Sequence, residues 1–473
     1  MASHFVDSIP ARLLMWRRVR EYAVPPSMIE NATARRAVGD WAGACAAARV
    51  DVDLDLRAVR DRHGTGLASR LRADLRRLAP DLLRWHMPRT APDGRLRSGL
   101  TLSLARYETH PGATAQLVVR TPPAWADAGQ RMSLALWEGP GDGAPVHHPH
   151  PHPDRRFRLD LHRHLWDATR SAELAARCWA QEAPYEAGER GPSRWPERWA
   201  AEAELLLRAD GRHPRGPLTV RFGARGHGVF ELVAPDESHV PVLRPVREAL
   251  SPQAAAALPV LPEAAARPLP DLDLLRAGLF RADRLHPLVA AALSAQGPVR
   301  PSVRDLAPAA SADPDPHRVE CLGEVHRIAL RDGTLAAVDH DPAQLAREEL
   351  LMALGGPGLP CLRAIDTVHR SPEALPAVRE RLGHGDVTGA LAVVEGLLGV
   401  GAVLREGPLR EALEAAVAGR LDHGLFRAGL LPVHPAARGA GAPGHRPRLD
   451  RRLPPVLRRK QSSRNHPRTA FHG

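Results

Sequence analysis

The sequence predicts an α+β fold, and three patterns carry that expectation. Between residues 8 and 90, apolar side chains recur every three or four positions, the helical spacing. Between Leu100 and Glu138 the spacing falls towards two, the strand period. From Glu324 to Val338 a strand–turn–strand signal around Asp332-Gly333 precedes a long helical stretch.

The elements follow in order. Leu13, Trp16, Val19 and Ala23 share one helical face, and Pro25-Pro26 stops that helix. Ser27–Val38 and Asp40–Val50 read as two more. Leu67–Trp85 forms an amphipathic helix through Leu71, Leu75, Leu78, Leu82 and Trp85, bent at Pro80. Strands are expected at Leu102–Leu104, Leu117–Val119 and Met132–Leu136. A His/Pro-rich loop comes next, then helices near 166–182 and 195–209. Leu218–Phe222 and Val229–Val233 flank a glycine-rich turn, and this hairpin is expected to complete the same sheet.

The segments are therefore 1–90, helical; 91–234, an antiparallel sheet with helices and the His/Pro-rich loop; and 235–317, a Pro/Ala-rich linker with a helical island near 271–295. A β-hairpin plus helical domain occupies 318–435, and a disordered basic tail 436–473. In the hairpin-plus-helical domain Asp341-Pro342-Ala343-Gln344 supplies a cap, a first-turn proline and a reciprocal partner for a helix at 342–354. The apolar run Val387–Leu404 contains Glu395 and four glycines. Asp386 is placed to cap a helix there and Gly399 to end it, so no membrane span is expected.

One pattern occurs twice. Gly39-Asp40-x-x-Gly43-Ala44-x-Ala46 matches Gly385-Asp386-x-x-Gly389-Ala390-x-Ala392. Glycine permits a left-handed exit from one helix, and aspartate caps the next. No 34-residue period joins the copies, so they read as two hairpins with shared turn chemistry and not as a repeat array.

Composition limits the functional classes. The chain has 65 Lys and Arg, of which Lys460 is the one lysine, and only four isoleucines. That points to a GC-biased coding sequence and discounts arginine runs as signals. A lone lysine in a Pro/Arg-rich tail also argues against a lysine-bearing phosphate loop, a kinase site or a Schiff base. GxSxG and HExxH motifs are absent. The net charge of +11 is concentrated: residues 436–473 hold ten basic residues and one acid, Asp450. Arg446, Arg448, Arg451, Arg452, Arg458, Arg459 and Lys460 are the candidate polyanion-binding residues, with affinity expected to fall in salt.

The remaining candidates are weaker. His147, His148, His150 and His152, with His162 and His164 beyond, suggest metal ligands with Asp154 or Asp160 as carboxylates. Their interleaved prolines favour a solvated loop over a rigid site. Asp51, Asp53 and Asp55 imitate a calcium loop, but Leu56 and Arg62 stand where glycine and glutamate are required. Asp339-His340-Asp341 sits at a strand-to-helix junction and offers half of a metal-hydrolase site, although Asp341 is explained by capping. Cys45, Cys178, Cys321 and Cys361 have neither finger nor redox spacing.

No catalytic residue, cofactor or metal site is assigned from these patterns. The expected function is a cytoplasmic, non-enzymatic interaction or scaffold protein with a protein partner. A metal-dependent hydrolase using His/Asp ligands is the first alternative. Nucleic-acid or acidic-surface contact through the tail is the second.

Overall fold

The computed structural model describes residues 10–110, 113–139, 148, 150–178, 196–221, 226–234, 239–247, 250–294, 318–321, 323–331, 334–356 and 358–430. The first two helices of the opening stretch end close to their expected positions, but the third, expected to reach Val50, ends at Ala47, and Val50 opens a strand. Helix α1, Ala11–Arg18, runs into a π-helical turn, Val19–Ala23, and together they bury Leu13, Met15, Trp16 and Val19. Helix α2, Pro26–Ala37, starts on its own proline. Gly39 at φ +77° then reverses the chain, and Asp40 caps α3, Trp41–Ala47.

Strand β1, Val50–Asp53, follows, and Asp55 caps α4, Leu56–Arg77, which breaks at Gly64. The helix expected to bend at Pro80 instead stops at Arg77 and restarts as α5, Pro80–His86. Leu78 and Ala79 are extended, and Ala79 is pushed out of the helical region because it precedes Pro80.

Strands β2, Thr101–His110, β3, Ala113–Arg120, and β4, Met132–Trp137, form the expected antiparallel set. Val50–Asp53 adds a parallel edge beside β4, giving the order β1-β4-β3-β2. Helices α6, Glu173–Cys178, and α7, Pro196–Ala209, come next. The hairpin β5, Gly216–Arg221, and β6, His227–Val233, does not extend the first sheet. It pairs with β7, Val242–Pro245, in a sheet of its own with the order β5-β6-β7. Trp199, Leu207, Leu218, Val220, Leu232 and Leu261 make a separate small core there.

The Pro/Ala-rich stretch also folds. It forms α8, Pro252–Ala257, α9, Glu263–Ala266, α10, Pro270–Arg276, and α11, Pro287–Ser294. Leu269, Leu272, Leu274, Leu285 and Val289 join the main core with Trp16, Leu82 and Trp85. Pro252, Pro270 and Pro287 each open a helix here. Residues 295–317 lie outside the described residues.

By chain contacts the protein divides into two units, Asp305–Leu425 and the remainder. The smaller unit begins with β8, Arg318–Cys321, β9, Glu324–Arg331, and β10, Thr334–Ala337, an antiparallel sheet ordered β10-β9-β8. Helices α12, Pro342–Ala353, α13, Pro360–Arg370, α14, Leu375–Gly383, α15, Val387–Leu398, and α16, Pro408–Arg427, follow. Asp341 caps α12, Asp386 caps α15, and Gly399 at φ +90° ends α15. Ile328, Leu335, Ile365, Val378, Val394 and Leu398 form this unit's core. The architecture is α+β, and no helix among the described residues is long and apolar enough to cross a membrane.

Candidate functional site

Three chain ends in the smaller unit bring together Cys321, His340 and Cys361. Cys321 closes β8, His340 lies in the turn after β10, and Cys361 sits in the first turn of α13 behind Pro360. One ligand atom from each lies within 4.8 Å of the other two, and all three residues are buried. Both cysteines are free thiols. Burial and the neighbouring Cys321 push the Cys361 thiol up to about 12.

His340 is held by its neighbours. Asp339 accepts the backbone N–H of Arg327 at 2.9 and 3.0 Å, and Asp341 accepts that of Ala343 at 3.1 Å. The His340 ring stacks on His326 with centroids 3.8 Å apart. His326 Nδ1 stands 3.6 Å from Asp339. His340 Nε2 is buried and makes no hydrogen bond among the described residues. Of the Asp339-His340-Asp341 triplet, the histidine therefore joins the cysteines, while both carboxylates hold backbone N–H groups. Two sulfurs and an imidazole nitrogen are a donor set for a thiophilic cation.

The histidine-rich segment is differently disposed. His147 lies outside the described residues. His148 is buried, with Nε2 donating to the Thr121 carbonyl at 2.8 Å and Nδ1 accepting from His150 N–H at 3.2 Å. Both ring nitrogens are used, and burial lowers its pKa to about 4. His152 packs edge-on to Trp137. His162 stands 3.1 Å from Glu202, and Arg177 donates to Glu202 and to His164. Asp154 and Asp160 pair with Arg156 and Arg158. Asp51 pairs with Arg131, and Asp55 caps α4. Arg446, Arg448, Arg451, Arg452, Arg458, Arg459 and Lys460 lie outside the described residues.

The larger unit has a polar interior that the sequence did not announce. His286 Nε2 and Asp81 Oδ2 meet at 2.7 Å, both fully buried. Trp85 donates to Asp271 at 2.7 Å, and the Arg20 guanidinium lies 4.0 Å over the Trp85 ring. A cleft of about 80 Å³ opens nearby, lined by Trp16, His86, Phe157, Arg158 and Leu269 among others. Its cations are largely answered from within the fold: Arg12 meets Asp273 at 2.7 Å, and Arg158 meets Asp160 and Asp210 at 2.8 Å. The cleft is small and mostly apolar.

Sequence reasoning missed the Cys/His convergence because its members are 19 and 21 positions apart, outside every short ligand motif. Only His340 carried a positional signal, in the junction between the expected strand–turn–strand and the helix at 342–354; the strand that ends at Cys321 and the helix that starts at Cys361 were not read from the sequence. Compared with protein-family models, curated proteins and solved structures, the chain matches none.

Proposed function

We propose that the protein is a non-enzymatic interaction protein that docks an apolar helix of a protein partner on its smaller unit. One observation carries the reading. Ten of the sixteen large apolar side chains exposed among the described residues belong to Asp305–Leu425, about a quarter of the chain. On α16, Val417, Leu421 and Leu425 recur every four residues and are 60%, 65% and 36% exposed. Such a stripe is the signature of a helix-in-groove or helix-on-helix contact. On α12, Leu350, Leu351 and Leu354 are likewise exposed.

A cytoplasmic setting belongs to the same proposal, supported by the free thiols of Cys45, Cys321 and Cys361. The hydrolase alternative loses support because Asp339 and Asp341 are committed to backbone N–H groups. The concentrated charge of the tail favours a subsidiary reading, a salt-sensitive hold on polyanions.

Native co-purification of the full chain at low and high salt tests the main reading. The expected partner survives high salt and the removal of residues 436–473, and is lost from the Val417→Glu/Leu421→Glu double variant. A partner that leaves in salt or with the tail, or that the double variant retains, overturns it.

A further inference from the structure

We propose that the smaller unit binds one Zn²⁺ per chain through Cys321 Sγ, Cys361 Sγ and a ring nitrogen of His340. The three donors already lie within 4.8 Å of one another, so a single cation can reach all of them with small side-chain movement. They are 1%, 0% and 8% exposed, so little hydration of the donors has to be displaced.

The polar accounting favours an ion. His340 Nε2 is one of several buried ring nitrogens without a hydrogen-bond partner among the described residues, and its ring is the one grouped with two thiols. Its ring is not free to turn away. Asp339 and Asp341 fix the backbone on either side, and the His326 ring backs it at 3.8 Å. The fixed backbone and the stacked ring narrow the positions open to the imidazole.

Charge balance selects the ion. Binding releases the two thiol protons to solvent, and the two thiolates then cancel the charge of a divalent cation. With a neutral imidazole the centre has no net charge, the form in which a buried site is least costly. Two sulfurs and one nitrogen exclude Mg²⁺ and Ca²⁺, which take oxygen ligands, and two cysteines are too few for a typical iron–sulfur cluster. Cu⁺ with two thiolates would leave a buried negative charge, so among thiophilic cations Zn²⁺ fits best, with the fourth tetrahedral position left to solvent or an incoming donor. The ion ties the end of β8, the turn after β10 and the start of α13 to one point.

The test uses the full chain without an affinity tag. Elemental analysis after gel filtration is expected to give one Zn²⁺ per chain. Cys321→Ser, Cys361→Ser and His340→Ala should each weaken Zn²⁺ binding by at least about 100-fold in chelator competition. His326→Leu, which removes an outer partner, should cost about 10-fold. Replacing His147, His148, His150 and His152 together by Ala should leave the stoichiometry at one. Co²⁺ in place of Zn²⁺ should show thiolate charge-transfer absorption that both cysteine variants lose. Should the variants fold poorly, mapped alkylation of the wild-type chain decides: Zn²⁺ protects Cys321 and Cys361 together. A wild-type chain without Zn²⁺, Zn²⁺ retained by the cysteine variants, or Cys321 and Cys361 recovered as a disulfide overturns the assignment.

Discussion

Gly389 lies directly beneath the carboxylate of Asp386, so a Cβ at that position would collide with Oδ2. Asp386 uses the space to accept the Gly389 N–H at 3.2 Å and to meet Arg381 at 2.8 Å. The earlier copy of the pattern repeats every part of this. Asp40 accepts from Gly43 at 2.8 Å and meets Arg35, again five residues upstream, at 2.9 Å. A Cβ on Gly43 would strike Asp40 in the same way. The glycine is there for the cap, not for flexibility.

This makes the effect of alanine conditional on the aspartate. Asp386→Ala should destabilise the smaller unit by about 1 kcal/mol, the usual cost of a lost N-cap. Gly389→Ala should also destabilise it, by displacing the carboxylate. In the Asp386→Ala background Gly389→Ala should instead stabilise, since alanine exceeds glycine in a helix by about 1 kcal/mol. A double-mutant cycle in urea reads the reversal of sign, and additive losses would show the collision to be harmless.

Burial sets the second prediction. The Asp81–His286 pair links α5 to the start of α11 across 205 residues of sequence, with both side chains fully buried. His286 Nδ1 also accepts the Leu288 N–H at 3.2 Å, so Nε2 carries the proton given to Asp81. Asp81→Ala leaves a neutral imidazole donor unanswered in the interior and should cost about 1–3 kcal/mol. Asp81→Leu with His286→Leu should cost far less than the two single changes together. Equal costs for the double variant and the summed singles would mean that the pair is not coupled.

These two cases mark what the sequence could show. Asp40, Asp341, Asp386 and Gly399 do what their positions implied, because capping and chain reversal are decided by residues within one turn of each other. Asp81 and His286, or Cys321 and Cys361, carry no such local mark. Their pairing depends on how distant elements pack, and an Arg- and His-rich composition hides buried cations among ordinary surface ones. The second sheet escaped for a related reason. Alternation identifies β5 and β6 as strands but cannot say which edge they join.

Acid should unfold the larger unit in a defined window. Burial lowers His86 and His148 from 6.5 to about 4, and holds His164 well below its usual value. The unfolded chain therefore takes up protons that the folded chain refuses as pH falls from about 6.5 to about 4. Stability is full above that window and declines through it, by up to about 3 kcal/mol each for His86 and His148. Glu202 adds a lower step. Burial opposes its charge, but His162 and Arg177 overcome that and bring its pKa to about 2, so its contribution is lost as pH falls from 4.5 to 2. Urea melts at several pH values should show this decline, and His86→Gln should reduce its slope by about one proton. A flat profile between pH 7 and 4.5 would contradict the burial of these rings.

Arg84 is fully buried, and its Nε donates to the Ala23 carbonyl at 3.0 Å. Neither terminal nitrogen has a hydrogen-bond partner among the described residues. Burial first, and then the nearby Arg49, Arg89 and Arg131, hold its pKa well below the usual arginine value. A cation so placed has surrendered its hydration for a single backbone contact, and its closest charged company repels it. Arg84→Met keeps most of the volume and removes the charge, so it should stabilise the unit by about 1–4 kcal/mol. The urea midpoint measures this directly. A loss of stability in phosphate buffer that vanishes in an anion-poor buffer would reverse the conclusion, because the guanidinium would then owe its burial to a bound anion.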